Sequence, residues 1–309
     1  MTNIAVVPVD GLHNLEGQYE LFTSAVTRGG GTLTSPNDAE GLIWATANDP
    51  DGLRAILHVN PSIRWVQLPY AGIEPYLSMV DNERLYTCGK GVYAEPVAEH
   101  ALGLALAGMR GIGVYARATS WAKPYGFNLL GARVVIFGGG EITRSLLRLL
   151  QPFEAHVTVV RNRVAPLAGA AEVVGPDAGL TVIQSADLVV LALALTPQTR
   201  SLVDTTFLEA MQPHAWLVNV ARGAHIVTDD LVAALHAGTI GGAALDVTDP
   251  EPLTFGHALW TAPNTLITPH VANTPQMGIQ LLAKRIEENV RRFIHGEDLL
   301  GPVDPDLGY

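Results

Sequence analysis

The pattern of apolar and polar positions divides the first hundred residues into short strands and helices. Apolar runs of strand length lie at 4–9, 41–46, 63–68 and 84–88. Amphipathic patterns of helical period lie between them, at 16–28, 50–58 and near 75–80. Strands that alternate with helices favour parallel pairing through crossover helices. The pattern therefore predicts a small parallel α/β unit.

A long Ala/Leu-rich segment separates this unit from a second series of apolar runs. The segment begins at Glu95 with EPVAEHALGLALAGMRG, and it predicts a helix with Pro96 in its first turn. The runs that follow lie at 132–137, 156–160, 188–194, 216–220, 242–247 and 265–268. Near-continuous apolar runs are typical of parallel strands covered on both faces. A second, doubly wound sheet is therefore predicted.

The two series define two domains of an α/β protein. We place the smaller domain at residues 1–99 and the larger one at 100–285. A capped helix is predicted from about Pro275 to His295, and the tail after it is too short to form a domain. We therefore expect residues 286–309 to pack back on the first domain and complete it.

Composition narrows the class of protein. The chain has 309 residues, 48% of them hydrophobic and 16% charged, which is a globular composition. Its net charge of -11 repels polyanions, so we expect no nucleic-acid partner and no binding to anionic membranes. The longest apolar runs are too short to span a bilayer. One cysteine, no signal-peptide pattern and no metal-ligand spacing indicate a cytoplasmic protein without a metal.

The stretch VVIFGGGEITRSLL, residues 134–147, has the pattern of a strand, a glycine turn and a helix. Gly138 would make the tight turn, and Gly140 would let the backbone approach a pyrophosphate at the N-terminus of the helix. Thr143 occupies the position of the third small residue of this motif. It predicts a wider turn, with a hydroxyl able to donate to a phosphate. A tight strand-to-helix connection that binds nothing is the alternative.

The end of the next strand indicates which dinucleotide such a turn would bind. The strand HVTVV is followed by Arg161, Asn162 and Arg163, where an NAD enzyme places an acidic residue for the ribose hydroxyls. Two arginines suit a 2′-phosphate instead. NADP(H) is therefore favoured, and NAD(H) stays possible. In the alternative, one or both arginines point into solvent.

Five further motifs extend along the chain. They are PVAEH (96–100), LTPQTR (195–200), NVARG (219–223), ALDVTDPEPL (244–253) and TPHVAN (268–273). In this order and spacing they resemble the D-isomer-specific 2-hydroxyacid dehydrogenases, over essentially the whole chain. The resemblance implies a Rossmann dinucleotide-binding domain and a smaller flavodoxin-like substrate domain, with the active site in the cleft between them.

The resemblance also implies three catalytic residues. Reduction of a 2-oxo acid needs a hydride at C2, a proton for the alkoxide and a cation for the carboxylate. Arg222 matches the arginine that holds the carboxylate and polarises the ketone, a task that suits a planar guanidinium. His270 matches the acid/base, and Glu251 matches the carboxylate that favours its imidazolium form.

Cofactor and substrate contacts are implied in the same way. Asp246 matches an aspartate at the nicotinamide carboxamide, and Thr196 lies in a loop that passes the cofactor. The full set expected at the cofactor is Gly138, Gly140, Glu141, Ile142, Arg161, Asn162, Arg163, Thr196, Ala221 and Asp246. The set expected at the substrate is Arg222, Tyr70 and the backbone N–H groups of Ala71, Gly72 and Val92. Glu99 and His100 are interpreted as parts of a structural helix between the domains.

The resulting hypothesis is an NADP-dependent reductase of a small 2-oxo acid, with glyoxylate or hydroxypyruvate favoured. The alternative is a nucleotide-sensing binding protein of the same fold without turnover, which only Thr143 supports. A complete set of Arg222, Glu251 and His270 argues against a sensor. Family resemblance also implies a homodimer, formed through residues 109–131, where Trp121, Tyr125 and Phe127 suit an interface.

Overall fold

The computed structural model describes residues 2–7, 16–46, 49–121 and 123–304. The strands in these ranges are β1 (Asn3–Val7), β2 (Thr32–Leu33), β3 (Gly41–Trp44), β4 (Trp65–Gln67), β5 (Leu85–Thr87), β6 (Arg133–Phe137), β7 (His156–Val160), β8 (Glu172–Val174), β9 (Leu188–Leu191), β10 (Trp216–Asn219), β11 (Gly242–Leu245) and β12 (Thr265–Ile267). The α-helices there are α1 (Gln18–Arg28), α2 (Pro50–Val59), α3 (Ala94–Met109), α4 (Ile112–Tyr115), α5 (Glu141–Leu150), α6 (Gly179–Ile183), α7 (Thr205–Ala210), α8 (Thr228–Ala237) and α9 (Pro275–His295).

The chain divides into two compact units, which differ at both junctions from the predicted domain bounds. One unit is Met1–Tyr93 with Asn273–Tyr309, and the other is Ala94–Ala272. Helix α3 belongs wholly to the second unit, because its small apolar face, including Ala98 and Ala101, is buried in the core beneath β6 and α5. Helix α9 belongs wholly to the first unit, because its apolar face packs against α1.

The first unit is a five-stranded parallel sheet with helices on both faces. Its strand order is β2-β1-β3-β4-β5, the order of flavodoxin-like folds. Helices α1 and α9 cover one face, where Phe22 and Ile286 are fully buried. Helix α2 covers the other face through Leu53 and Leu57. The flavodoxin-like prediction is confirmed for this unit.

The second unit is a seven-stranded parallel sheet in the order β12-β11-β10-β9-β6-β7-β8. Six of these strands reproduce the Rossmann order, and β12 extends that sheet by one strand. All residues of β9, β10 and β11 are buried, as expected for strands with helices on both faces. The strand order reverses between β6 and β9, and doubly wound sheets bind ligands beyond the carboxyl ends of the strands at such a point. The Rossmann prediction is confirmed.

The apolar pattern missed two strands. Strands β2 and β8 have two and three residues, and none of these residues is buried. Runs of two or three residues are too short to show an apolar period. In the described ranges, no helix has the length and apolarity needed to cross a bilayer.

Candidate active site

The predicted site residues of the second unit lie at the carboxyl edge of its sheet. Gly138 follows β6, Arg161 follows β7, and Asp246 follows β11. Arg222 comes three residues after β10, and His270 three residues after β12. Since all these strands are parallel neighbours, the fold brings side chains from distant motifs to one edge.

The glycine turn after β6 leaves its backbone open to a ligand. Gly138 has φ +107°, and a Cβ there would overlap the carbonyl of Ala192, so only glycine fits. A Cβ at Gly140 would meet no atom within 4 Å. Gly140 is also the N-cap of α5 and provides no side-chain cap for the first-turn N–H groups. Open space above uncapped N–H groups fits the pyrophosphate of a dinucleotide.

Thr143 does not have the predicted role. Its side chain is fully buried, and its Oγ1 donates to the Gly138 carbonyl oxygen at 2.9 Å. The hydroxyl therefore closes the turn from inside, and the expectation that it donates to a phosphate is wrong. Of the first-turn residues, Glu141 is exposed and pairs with Arg144 at 3.3 Å, while Ile142 is half-buried and packs on the core.

The two arginines after β7 have different environments. The Arg161 side chain lies over Gly139, and its Nη2 donates to the Ala165 carbonyl oxygen at 2.7 Å. Its Nε is buried and has no hydrogen-bond partner. Asn162 and Arg163 are exposed. Within the described part of the chain neither arginine forms an ion pair, so both positive charges remain available to an anion at this edge.

The loop after β9 holds Thr196 inside a compact turn. Its backbone N–H donates to Thr199 Oγ1 at 2.8 Å, and its carbonyl oxygen accepts from the Thr199 and Arg200 N–H groups. Beneath the turn lies His225, which is fully buried. His225 Nδ1 is 2.9 Å from the Thr199 carbonyl oxygen, and Nε2 is 3.3 Å from that of Leu193. The sequence places His225 in no matched motif and predicts a surface position for it, and the structure shows that this prediction is wrong. The buried ring ties the turn to the segment that carries Arg222.

Burial lowers the pKa of His225 below its usual value of 6.5. Hydrogen bonds to the carbonyls of Thr199 and Leu193 raise that pKa, and the nearby charges of Arg222 and Arg200 lower it further. A neutral imidazole donates from one nitrogen only, and the shorter distance assigns that proton to Nδ1. His225 is therefore a neutral structural donor below the turn.

Arg222 lies on a segment with little freedom. Asn219 accepts from the Ala221 N–H at 3.0 Å and donates to the Arg222 carbonyl oxygen at 2.9 Å, which fixes the chain just beyond β10. Ala221 is buried, and its carbonyl oxygen accepts from Arg222 Nη1 at 2.8 Å. A Cβ at Gly223 would overlap the carbonyl of Thr248. The Arg222 segment is therefore packed directly against the chain that leads to Glu251.

Glu251 and His270 form the pair that the resemblance implies. His270 Nδ1 lies 2.6 Å from Glu251 Oε1, and both side chains are partly exposed. Because Nδ1 donates to the carboxylate, Nε2 is the nitrogen that can meet a ligand. The pair thus presents one ring nitrogen for proton transfer and uses the other to fix the tautomer.

Asp246 and His100 lie beside this pair in a separate network. The Asp246 side chain is only 1% exposed, and His100 Nε2 lies 3.3 Å from its Oδ1. Thr268 Oγ1 donates to the same oxygen at 2.6 Å. The sequence analysis assigned His100 to a structural helix and did not consider Thr268, although it lies within the TPHVAN motif.

The two predicted substrate loops of the first unit contact each other. The Gly89 N–H donates to the Tyr70 carbonyl oxygen at 2.9 Å, and the Tyr93 hydroxyl donates to the Pro69 carbonyl oxygen at 2.6 Å. Burial raises the pKa of Tyr93, which keeps this hydroxyl protonated as a donor. Tyr70 is 46% exposed. The loops therefore form one surface.

The backbone N–H groups of these loops differ in availability. Val92 N–H donates to the Gly89 carbonyl oxygen at 2.9 Å, so the expectation that it receives a substrate carboxylate is wrong. Those of Ala71 and Gly72 have no partner among the residues that the structure describes. Arg285 of α9, which sequence reasoning missed, supports the second loop through the Lys90 carbonyl oxygen at 3.1 Å. Across the described ranges, no group of three or more His, Cys, Asp or Glu side chains is placed to hold a metal ion.

A Rossmann sheet, an open glycine turn and a histidine–carboxylate pair at one edge define a nicotinamide-dependent dehydrogenase. Comparison with known proteins specifies the family. A model of the NAD binding domain of D-isomer specific 2-hydroxyacid dehydrogenases matches residues 102–272. The chain belongs to this family, and it is an NAD(P)-dependent oxidoreductase of the 2-hydroxyacid class, similar to glyoxylate/hydroxypyruvate reductases.

Individual relatives agree with this assignment. An uncharacterized protein of Corynebacterium melassecola, from the proB 3′ region, is 38% identical over 297 residues, which cover 93% of this chain and 96% of that protein. Glyoxylate/hydroxypyruvate reductase A of Photorhabdus laumondii is 43% identical over 114 residues, only 37% of this chain and 36% of the reductase. A D-isomer specific 2-hydroxyacid dehydrogenase of Xanthobacter autotrophicus, solved with NADPH and MES, has a TM-score of 0.83 at 25% identity, covering 100% of this chain and 99% of that one.

Proposed function

We propose that this protein reduces a small 2-oxo acid, glyoxylate or hydroxypyruvate, with NADPH. The observation that carries the proposal is the 2.6 Å contact between His270 Nδ1 and Glu251 Oε1, at the same sheet edge as Arg222. Relatives named as glyoxylate/hydroxypyruvate reductases support the substrate class. The similar Xanthobacter structure with NADPH supports the choice of cofactor. So do the two arginines after β7, of which Arg161 lies over Gly139 of the glycine turn and Arg163 is exposed.

The cofactor would be held along the edge from β6 to β7. The first-turn N–H groups of α5, next to Gly140, would take the pyrophosphate, and Arg161 and Arg163 would meet the 2′-phosphate. Bound nicotinamide supplies the hydride that goes to C2 of the substrate. Thr196, in the loop after β9, and Ala221, just beyond β10, would also contact the cofactor.

The protein groups supply charge and a proton. Arg222 binds the substrate carboxylate and polarises the 2-oxo group, so negative charge that develops on the oxygen is stabilised. His270, doubly protonated, gives its Nε2 proton to that oxygen and keeps Nδ1–H on Glu251. In the reverse direction Nε2 accepts the hydroxyl proton.

The test measures the oxidation of NADPH, through its absorbance, with a panel of 2-oxo acids. Glyoxylate, hydroxypyruvate, pyruvate and a branched 2-oxo acid should be compared at saturating NADPH. We expect the highest kcat/KM with glyoxylate or hydroxypyruvate. Tight NADPH binding with no turnover on any 2-oxo acid would contradict the proposal and support the nucleotide sensor. Turnover confined to bulky 2-oxo acids would contradict the assigned substrate.

We also propose that the protein is a homodimer through the segment that follows α3. This segment exposes large apolar side chains: Ile112 is 53% exposed, Leu130 61%, and Trp121 fully. Tyr125 and Phe127 are each 40% exposed and contact one another edge to face. Clustered exposed aromatic side chains are typical of subunit interfaces. Light scattering at micromolar concentration should give twice the chain mass, and Trp121→Ser should shift the protein toward monomer. A monomeric mass for the natural protein would contradict the dimer.

A further inference from the structure

An arginine of α9 contacts the second substrate loop, residues 88–93, through backbone carbonyl groups. Arg285 is half-buried, and its Nη1 donates to the Lys90 carbonyl oxygen at 3.1 Å and to the Cys88 carbonyl oxygen at 3.4 Å. The Cys88 N–H donates to the Gly301 carbonyl oxygen at 2.8 Å, so the C-terminal segment holds the same residue. Hydrogen bonds from a charged donor are roughly twice as strong as those between neutral groups. Arg285 therefore fixes the start of this loop.

The second substrate loop packs directly on the first, residues 69–72. The Gly89 N–H donates to the Tyr70 carbonyl oxygen at 2.9 Å. A Cβ at Gly89 would lie 3.0 Å from the Tyr70 carbonyl carbon and 3.2 Å from the Ala71 nitrogen, so a side chain there would push the two loops apart. The position of the peptide group between Tyr70 and Ala71 therefore follows the position of Gly89.

These contacts form a chain of hydrogen-bonded peptide groups. The first group joins Cys88 to Gly89, and the second joins Tyr70 to Ala71. Both are trans, so in each group the carbonyl and the N–H point in opposite directions, and donation runs from Arg285 through both groups to the Ala71 N–H. Hydrogen bonds in such a chain polarise one another, so a cation at the start strengthens the donor at the end. The Ala71 N–H, which has no partner among the described residues, is that donor.

We propose that Arg285 is a positioning residue for the substrate carboxylate, because it orients and polarises the peptide group that presents the Ala71 N–H. The inference rests on the proposed function, in which the substrate is a 2-oxo acid, and on the implied role of this N–H as a carboxylate donor. Arg285 acts through the two loops. Its loss therefore weakens binding of the carboxylate and leaves hydride transfer in place.

The first experiment measures steady-state kinetics of Arg285→Met. Methionine keeps an apolar stem but removes the charge and the N–H donors that hold the second substrate loop. An interaction made equally in the ground state and the transition state contributes to KM and not to kcat, so we expect the KM of glyoxylate or hydroxypyruvate to rise about tenfold and kcat to stay within about twofold. The Kd of NADPH should be unchanged, since the residues assigned to the cofactor lie in the other unit. An unchanged KM would overturn the inference, and so would a fall in kcat at constant KM.

A matched control lies further along the same helix. Arg291 pairs with Glu288 at 3.0 Å and with Glu297 at 2.7 Å. Arg291→Met removes the same charge and the same kind of side chain from α9 without breaking the contacts of Arg285. Its KM for the 2-oxo acid should stay within about twofold of the natural value. A rise in KM equal to that of Arg285→Met would attribute the effect to net charge, and the positioning role would be lost.

Two glycine variants carry the test if Arg285→Met fails to fold. A Cβ at Gly301 would lie 2.6 Å from Arg285 Nη1 and 2.6 Å from the Cys88 carbonyl oxygen, so alanine there separates the two groups while Arg285 stays in the chain. Gly296 has a similar φ, +67° against +71°, and a Cβ there would meet no atom within 4 Å. Both substitutions impose the same backbone strain and should lower the melting temperature. Only Gly301→Ala should raise KM, by about threefold, and equal KM values in the two variants would overturn the inference.

A binding measurement that needs no turnover separates this inference from the proposed function. Oxamate has the carboxylate of a 2-oxo acid but is not reduced, and its Kd is measured on the protein loaded with NADPH, through the fluorescence of NADPH. We expect Arg285→Met to bind oxamate about tenfold more weakly than the natural protein and than Arg291→Met.

The outcomes of these measurements differ for the two proposals. If the natural protein reduces a 2-oxo acid, and Arg285→Met has the same KM and the same Kd of oxamate, the positioning role alone is overturned. If the natural protein binds oxamate but reduces no 2-oxo acid, the proposed function fails, and the ratio of the two Kd values still decides the role of Arg285. A natural protein that neither reduces a 2-oxo acid nor binds oxamate would contradict both.

Discussion

The proposed preference for NADPH depends on the two arginines after β7, which have different environments in the structure. Arg163 is exposed, so its guanidinium can turn toward a 2′-phosphate at little cost. Arg161 already donates one N–H to the Ala165 carbonyl oxygen and lies over Gly139, so only part of its guanidinium is free to bind a phosphate. A charge-assisted hydrogen bond contributes roughly 1.5–3 kcal/mol. The predicted preference is therefore about 10- to 100-fold.

The assay compares kcat/KM for NADPH and NADH in four proteins. In the natural protein the ratio should favour NADPH, and in the Arg161→Asp, Arg163→Ala double variant it should reverse, because a carboxylate repels the 2′-phosphate. Arg163→Ala alone should remove most of the preference. Arg144→Ala is the control, since this arginine lies on α5 near the glycine turn and pairs with Glu141. Its ratio should stay within about twofold of the natural value.

Three results would refute this reasoning. Equal or NADH-favouring values in the natural protein would show that neither arginine meets a 2′-phosphate. An unchanged ratio in the double variant would place the phosphate elsewhere. A loss of preference in Arg144→Ala as large as in Arg163→Ala would attribute the effect to net charge, not to this strand end.

Three further predictions concern groups that the structure buries. Thr143→Val removes the hydrogen bond to the Gly138 carbonyl oxygen, so the free energy of unfolding in urea should fall by about 1 kcal/mol. The Kd of NADPH should stay unchanged; weaker binding of NADPH would show that the hydroxyl does contact a phosphate. Because the pKa of His225 is lowered, its contribution to stability is complete above pH 6.5 and is lost as the pH falls below that value. The free energy of unfolding in urea should fall between pH 7 and pH 5, and His225→Gln should remove this fall. The same fall in both proteins would contradict the neutral, buried state. The pKa of Asp246 is lowered from 3.8 to about 2, so about 2 kcal/mol of stability is present above pH 3.8 and lost on acidification toward pH 2. Asp246→Asn should be less stable than the natural protein at pH 7, with a gap that narrows through this window; a constant gap would contradict the shift.

Much of the fold was predictable because the central strands are buried on both faces. Strand β7 has the predicted bounds, since HVTVV is an apolar run between polar residues. The edge strands β2 and β8 were not predictable from apolar pattern, because runs of two or three residues are too short to show a period. The junctions between the units were also misplaced, because the pattern does not show which sheet a linking helix packs against.

The candidate site was predictable as a set of motifs but not as a set of hydrogen bonds. Motif order alone places Arg222, Glu251 and His270 at neighbouring strand ends. The partner of a short polar side chain depends on local backbone geometry, and so the inward hydroxyl of Thr143 and the occupied N–H of Val92 were missed. The same applies to Asp246, whose partners lie more than twenty residues away.

The most direct test of the central claim is a single-turnover measurement on His270→Gln. Enzyme in excess of NADPH is mixed with saturating hydroxypyruvate or glyoxylate, and the loss of NADPH absorbance gives the rate of hydride transfer without product release. Because the glutamine amide cannot supply the proton that the alkoxide needs, we expect this rate to fall by at least about 100-fold, with the Kd of NADPH unchanged. A rate close to that of the natural protein would show that His270, although it lies 2.6 Å from Glu251, is not the acid of this enzyme.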